Sequence, residues 1–106
     1  MTPEHTLQPR IPVDREQIAA FCRKWRIAEF ALFGSVLRDD FCSDSDVDVL
    51  VRLQPDHGLD LFDWADMREE LTLMLGRPVD LVDLEGLRNP FRRHAILTNK
   101  QVIYAA

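Results

Sequence analysis

Asp46 and Asp48 stand two residues apart at the head of the run Asp46-Val47-Asp48-Val49-Leu50-Val51-Arg52-Leu53. The apolar residues Val47, Val49, Val51 and Leu53 fall on alternate positions and are mostly β-branched, which predicts a strand rather than a helix. Strand side chains alternate between faces, so the two carboxylates share one face, their Cα atoms roughly 6.5–7 Å apart. Two like charges on a half-buried strand repel each other and resist desolvation unless a cation neutralises them. Magnesium suits them, because it prefers oxygen ligands and takes one or two carboxylates together with water and substrate phosphates. Both acids could converge on one ion or flank a pair about 3.5–4 Å apart. The segment Asp44-Ser45-Asp46-Val47-Asp48 also has the opening spacing of an EF-hand, but Val49 stands at the turn glycine and Pro55 at the bidentate glutamate. The remaining alternative is a solvated strand face that carries acids without function.

Upstream, Ala28-Glu29-Phe30-Ala31-Leu32-Phe33 reads as another strand and Gly34 ends it, where a Cβ would block backbone approach to a phosphate. Ser35 can cap a short helix through Val36-Leu37-Arg38, whose N–H groups would face the same anion, with Arg38 adding a cation. An ordinary strand-to-helix turn is the alternative for Gly34-Ser35. Arg38 could equally pair with Asp39, Asp40 or Asp44.

A third acid lies in Val79-Asp80-Leu81-Val82, a short apolar run behind Gly76-Arg77-Pro78 that reads as a strand of a mixed sheet. A carboxylate there needs a partner. If this strand lies beside the first acidic one, the partner is a second metal ion or an attacking hydroxyl, with Asp80 as general base; the alternative is an ion pair with Arg77. Asp83 falls on the opposite phase near the strand's exit and reads as a loop residue.

Three helices are expected to carry these strands. Asp14 or the preceding Pro-Val pair starts the first, with Ile18, Phe21, Cys22 and Trp25 along one side. The second runs from about Leu59 to Leu75 and stops at Gly76, with Leu61, Trp64, Ala65, Leu71, Met74 and Leu75 facing inward. Asn89 and Pro90 cap a third that reaches about Thr98. Around it Arg88, Arg92, Arg93, His94 and Lys100 form a basic patch, read as a solvated face or a contact for phosphates or an acidic partner. Alternating strands and helices predict an α/β domain with its ligand site at strand ends. Residues 1–11 read as a loose arm and 12–106 as the domain.

The chain has 106 residues, 46% hydrophobic and 29% charged, enough for one domain that buries about 60–70% of its unfolded surface. Its net charge of -5 disfavours a long nucleic acid as acceptor, since such enzymes present basic surface to phosphates. No signal-peptide pattern and no membrane-length apolar run occur, so a cytoplasmic location is expected. Cys22 and Cys42 lack metal-ligand spacing and fit that compartment unpaired. His5, His57 and His94 show no convergent pattern and read as surface residues.

The spacing Gly34-Ser35, Arg38, Asp44-Ser45-Asp46-Val47-Asp48 resembles the signature of the minimal nucleotidyltransferases of the DNA polymerase beta superfamily. Leu61-Phe62-Asp63, Pro78-Val79-Asp80-Leu81-Val82, Leu87-Arg88-Asn89-Pro90 and Val102-Ile103-Tyr104 extend the likeness over roughly residues 12–106. The resemblance implies that Gly34 and Ser35 grip a triphosphate, with Arg38 beside them, and that Asp46 and Asp48 hold two magnesium ions with Asp80 as the third acid. It also implies transfer of AMP from ATP to a hydroxyl, typically tyrosine, of a HEPN-type toxin for which this chain is the antitoxin, in a possible homo- or hetero-oligomer. One departure is Asp39, where the family often has glycine; the added negative charge implies weaker nucleotide affinity. Two other readings share the motif: an antitoxin that acts by binding alone, and a small-molecule nucleotidyltransferase, which would need a further domain for its acceptor.

Overall fold

In the computed structural model, Ile11, residues 13–37 and residues 45–106 are described. The Asp14 carboxylate accepts from the backbone N–H groups of Glu16 and Gln17 at 3.0 and 3.1 Å, which starts α1 (Arg15–Lys24) by satisfying two of its free donors. Its Ile18, Phe21 and Cys22 are buried, as the spacing predicts. Trp25 closes the helix as its C-cap and directs its indole N–H to Glu70.

Strands β1 (Ile27–Phe33) and β2 (Val47–Leu53) pair antiparallel, and β2 is followed by α2 (Leu61–Leu75) and β3 (Val79–Asp83). β3 lies parallel to β2, as a strand-helix-strand crossover permits. A 3₁₀ turn (Leu84–Gly86) leads to α3 (Pro90–Asn99) and the edge strand β4 (Gln101–Ala105), giving the order β3-β2-β1-β4. The chain is therefore a single α/β domain with a mixed four-stranded sheet, as expected. Asp83 departs from the loop reading: it is the last residue of β3, and its side chain accepts from the Glu85 backbone N–H to start the 3₁₀ turn.

Val47, Val49 and Val51 point into one core with Ile18, Phe21, Met67 and Leu71, so α1 and α2 cover that face. Phe21 meets Phe30 edge to face, with ring centres 6.3 Å apart. Among the described residues the opposite face is covered only in part, where Ile96 and Leu97 of α3 pack on Ala31, Phe33 and Leu50. That cover is tied down from its C-terminal end, because Lys100 hydrogen-bonds Glu29, whose carboxylate also faces Arg52 at 3.9 Å.

The inward side of α2 differs from the expected one. Met67 and Leu71, one turn apart, are fully buried, whereas Leu61 is 84% exposed and Ala65 is also exposed. A reciprocal cap between Asp60 and Asp63 fixes the start of this helix. Its first turn borders a groove beside Leu53 and Asp83 instead of covering the sheet. Gly76 ends the helix at φ 69°, a left-handed position suited to glycine.

Candidate active site

The sheet register assembles the acids. Phe33, at the end of β1, lies opposite Asp48 on β2, and Asp48 lies opposite Asp80 on β3. Residues directly opposite share a face, so Asp48 and Asp80 stand side by side on the face that α3 leaves partly open. Asp46 immediately precedes β2, two residues before Asp48, and is exposed. The acids thus occupy the amino ends of β2 and β3 and the carboxyl end of β1. The usual carboxyl-end placement in parallel sheets gives way here because β1 and β2 run antiparallel.

Gly34 completes this corner. Its φ is +76°, and a Cβ built on it would lie 2.1 Å from Asp48 Oδ2 and 3.1 Å from its Cγ. Glycine is required twice over, by the backbone conformation and by the carboxylate against its Cα. The following segment Gly34–Leu37 is a 3₁₀ turn anchored by the buried Val36 and Leu37; it stands where the short helix is expected but begins at Gly34, with Ser35 half-buried inside it. Arg38, the cation expected next, lies outside the described residues, as do Asp39, Asp40, Cys42 and Asp44.

The turn before β3 steadies the approach to the acids. Pro78 O accepts the Val47 N–H at 2.9 Å, and the Arg77 guanidinium donates to Ser45 O at 3.4 Å, so the backbone is held on both sides of Asp46. Arg77 is therefore turned toward the β2 approach, and the alternative pairing of Arg77 with Asp80 is not formed. Among the described residues Asp46 and Asp80 make no hydrogen bond or ion pair. The hold that Arg77 and Pro78 have on the backbone around Asp46 goes beyond the strand boundary and the Arg77–Asp80 pairing considered from the sequence; its local signal is a cation and a proline just before a third acid.

Among the described residues no three His, Cys, Asp or Glu side chains form a cage that could hold an ion unaided. Magnesium does not require one, since phosphates and waters supply most of its ligands. The donor set fits it: carboxylate oxygens alone, with Asp48 seated where the missing Cβ of Gly34 leaves room. Asp46 and Asp48 would be the residues that hold it.

Other expected groups lie apart. His57 Nδ1 accepts the Leu59 N–H within its own loop, His94 is exposed, and His5 lies outside the described residues. The basic patch is divided: Arg93 donates to Leu84 O, Lys100 bonds Glu29, and Arg88 and Arg92 are exposed. Burial pushes the Cys22 thiol up to about 12, so this cysteine is structural rather than reactive. No helix among the described residues is long and apolar enough to cross a membrane.

Comparison with known proteins matches residues 14–103 to the family model described as nucleotidyltransferase domain. Two Methanocaldococcus jannaschii proteins are similar. "Putative protein adenylyltransferase MJ0128" is 35% identical over 75 residues, covering 69% of this chain and 72% of that protein. "Putative protein adenylyltransferase MJ1379" is 29% identical over 73 residues, covering 69% and 73%. A solved structure described as a "putative minimal nucleotidyltransferase" superposes with a TM-score of 0.68 at 34% identity, over 81% of this chain and 85% of that one. A toxin–antitoxin complex with AMP-PNP gives 0.71 at 22% identity, over 89% and 75%. A complex of a tri-AMPylated Shewanella oneidensis HEPN toxin with its MNT antitoxin gives 0.64 at 22%, over 87% and 70%; at such identity these two likenesses concern the fold.

Proposed function

This chain belongs to the nucleotidyltransferase domain family, and on that premise we propose that it moves AMP from ATP onto a hydroxyl of a partner protein, acting as the antitoxin of a HEPN-type toxin. The observation that carries the proposal is the Asp48 carboxylate set against Gly34 and in register with Asp80. A glycine at this turn also lets a phosphate group come close to the backbone, where the Ser35 hydroxyl would add a donor.

In this reading Gly34 and Ser35 bind the triphosphate, with Arg38 contributing its charge. Asp46 and Asp48 hold two magnesium ions, which when bound would neutralise charge developing on the phosphates. Asp80, exposed and without a protein partner among the described residues, takes the proton of the acceptor hydroxyl. The hydroxyl oxygen bonds to the α-phosphorus, the bond from that phosphorus to the bridging oxygen breaks, and pyrophosphate leaves. Names of the relatives support protein as the acceptor class, and the AMPylated toxin bound to an MNT antitoxin, a structure of similar fold, supports the toxin as that protein. The net charge of -5 agrees with an acceptor other than a long nucleic acid.

Intact-mass spectrometry of the co-expressed partner, incubated with ATP and magnesium, tests the proposal. The expected result is an added AMP that the Asp46→Asn, Asp48→Asn chain does not deliver. A partner that stays unmodified yet inhibited at matched concentration would instead mean an antitoxin that acts by binding alone.

A further inference from the structure

At the end of the sheet opposite the acids lies a groove of about 470 Å³, lined by Leu53, His57, Leu59, Leu61 and Trp64 with Asp60 and Asp83. A neighbouring hollow shares Leu53, His57 and Asp83 and adds Asp56 and Glu85. The apolar floor is thus rimmed by four carboxylates, and at its edge Leu61 and Phe62 are 84% and 81% exposed. Arg52, which lines the neighbouring hollow, faces Glu29, and Arg26 donates to His57 O, so both of these cations are engaged.

Beside the groove the same end of the molecule presents the opposite chemistry. Asp83 and Glu85 lead directly into the first turn of α3, which Arg93 fixes against the 3₁₀ turn through its 2.9 Å bond to Leu84 O. There Phe91 is 85% exposed, with the exposed Arg88 and Arg92 near it in sequence. The backbone N–H groups of Phe91 and Arg92 both donate to Asn89, so this turn is held at its root. One end face therefore carries an acid-rimmed apolar groove and, next to it, a base-flanked aromatic.

We infer that this end face is an interface between two copies of the chain, with Phe91 of each protomer entering the groove of the other and Arg88 and Arg92 meeting Asp56, Asp83 and Glu85. A two-fold axis between adjacent complementary patches makes the contact twice, as a closed dimer requires. An aromatic anchor flanked by arginines suits such an interface, where aromatic residues and Arg are enriched and the rim is polar. The acids stay accessible, since β2 separates the two ends by about 20 Å.

Sedimentation velocity on the full chain from low to high micromolar concentration tests the inference, with circular dichroism to check that each variant is folded. The expected result is a concentration-dependent dimer that weakens with salt. Arg92→Glu and Glu85→Lys should each raise its dissociation constant at least about tenfold. Combining both in one chain should restore the dimer, and Phe91→Ser should remove it. A wild-type chain that is monomeric throughout, or a dimer indifferent to all these changes, overturns the inference. So does a monomer whose Leu61 and Phe91 gain hydrogen-exchange protection only when a co-expressed partner binds, which would assign the face to that partner.

Discussion

The Asp48 carboxylate lies where a side chain at position 34 would begin: a Cβ on Gly34 would meet Asp48 Oδ2 at 2.1 Å. The turn that leaves β1 and the strand β2 are thereby interlocked, Gly34 by lacking a side chain and Asp48 by filling the space. Gly34→Ala should move the carboxylate and strain a backbone at φ +76°. The strain alone costs about 1–2 kcal/mol, or roughly 4–8 °C in Tm per kcal/mol for a domain somewhat under this size. Thermal melting should register that loss, and isothermal titration should find ATP binding abolished; an alanine variant that binds ATP normally would mean that the triphosphate does not sit at the Gly34–Asp48 corner.

Magnesium with ATP should raise the melting temperature, because a ligand that binds only the native state stabilises it by mass action. Asp46→Asn combined with Asp48→Asn should remove the shift while the apo protein remains folded, since neither residue belongs to the buried core. A full metal-dependent shift in that double variant would locate the metal elsewhere.

Asp80 and Ser35 should separate in kinetics. A general base acts mainly in the transition state, so Asp80→Asn should lower kcat by about 10²–10⁴ and leave nucleotide affinity nearly intact. Ser35→Ala should raise KM for ATP with a smaller change in kcat. Parallel losses of affinity in both variants would count against the role given to Asp80.

Stability should fall at alkaline pH through Cys22. Burial holds its pKa at about 12 against 9.0 in the unfolded chain, so above pH 9 the unfolded state releases a proton that the native state retains. The contribution is complete below pH 9 and declines by up to about 1.4 kcal/mol per unit toward pH 12. Urea denaturation at pH 8 and pH 10 should find this slope in the wild type and a smaller one in Cys22→Ala.

The buried face of β2 was legible in the sequence, because Val47, Val49, Val51 and Leu53 alternate with more polar positions and alternation maps directly onto strand faces. Caps were legible too: Asp14, Asn89 and Gly76 act through bonds or dihedrals within a few residues of themselves. The two-residue spacing of Asp46 and Asp48 was likewise visible in the sequence, although β2 begins only at Val47, between them. What the chain could not state alone was register. Asp80 stands beside Asp48, Gly34 under its carboxylate, and Pro78 and Arg77 around Asp46 only because β2 pairs with β1 on one side and β3 on the other. The exposure of Leu61 and the burial of Leu50 under α3 were equally non-local. Periodicity records which residues share a face, whereas which faces are covered, and how far along, depends on packing between segments distant in the chain.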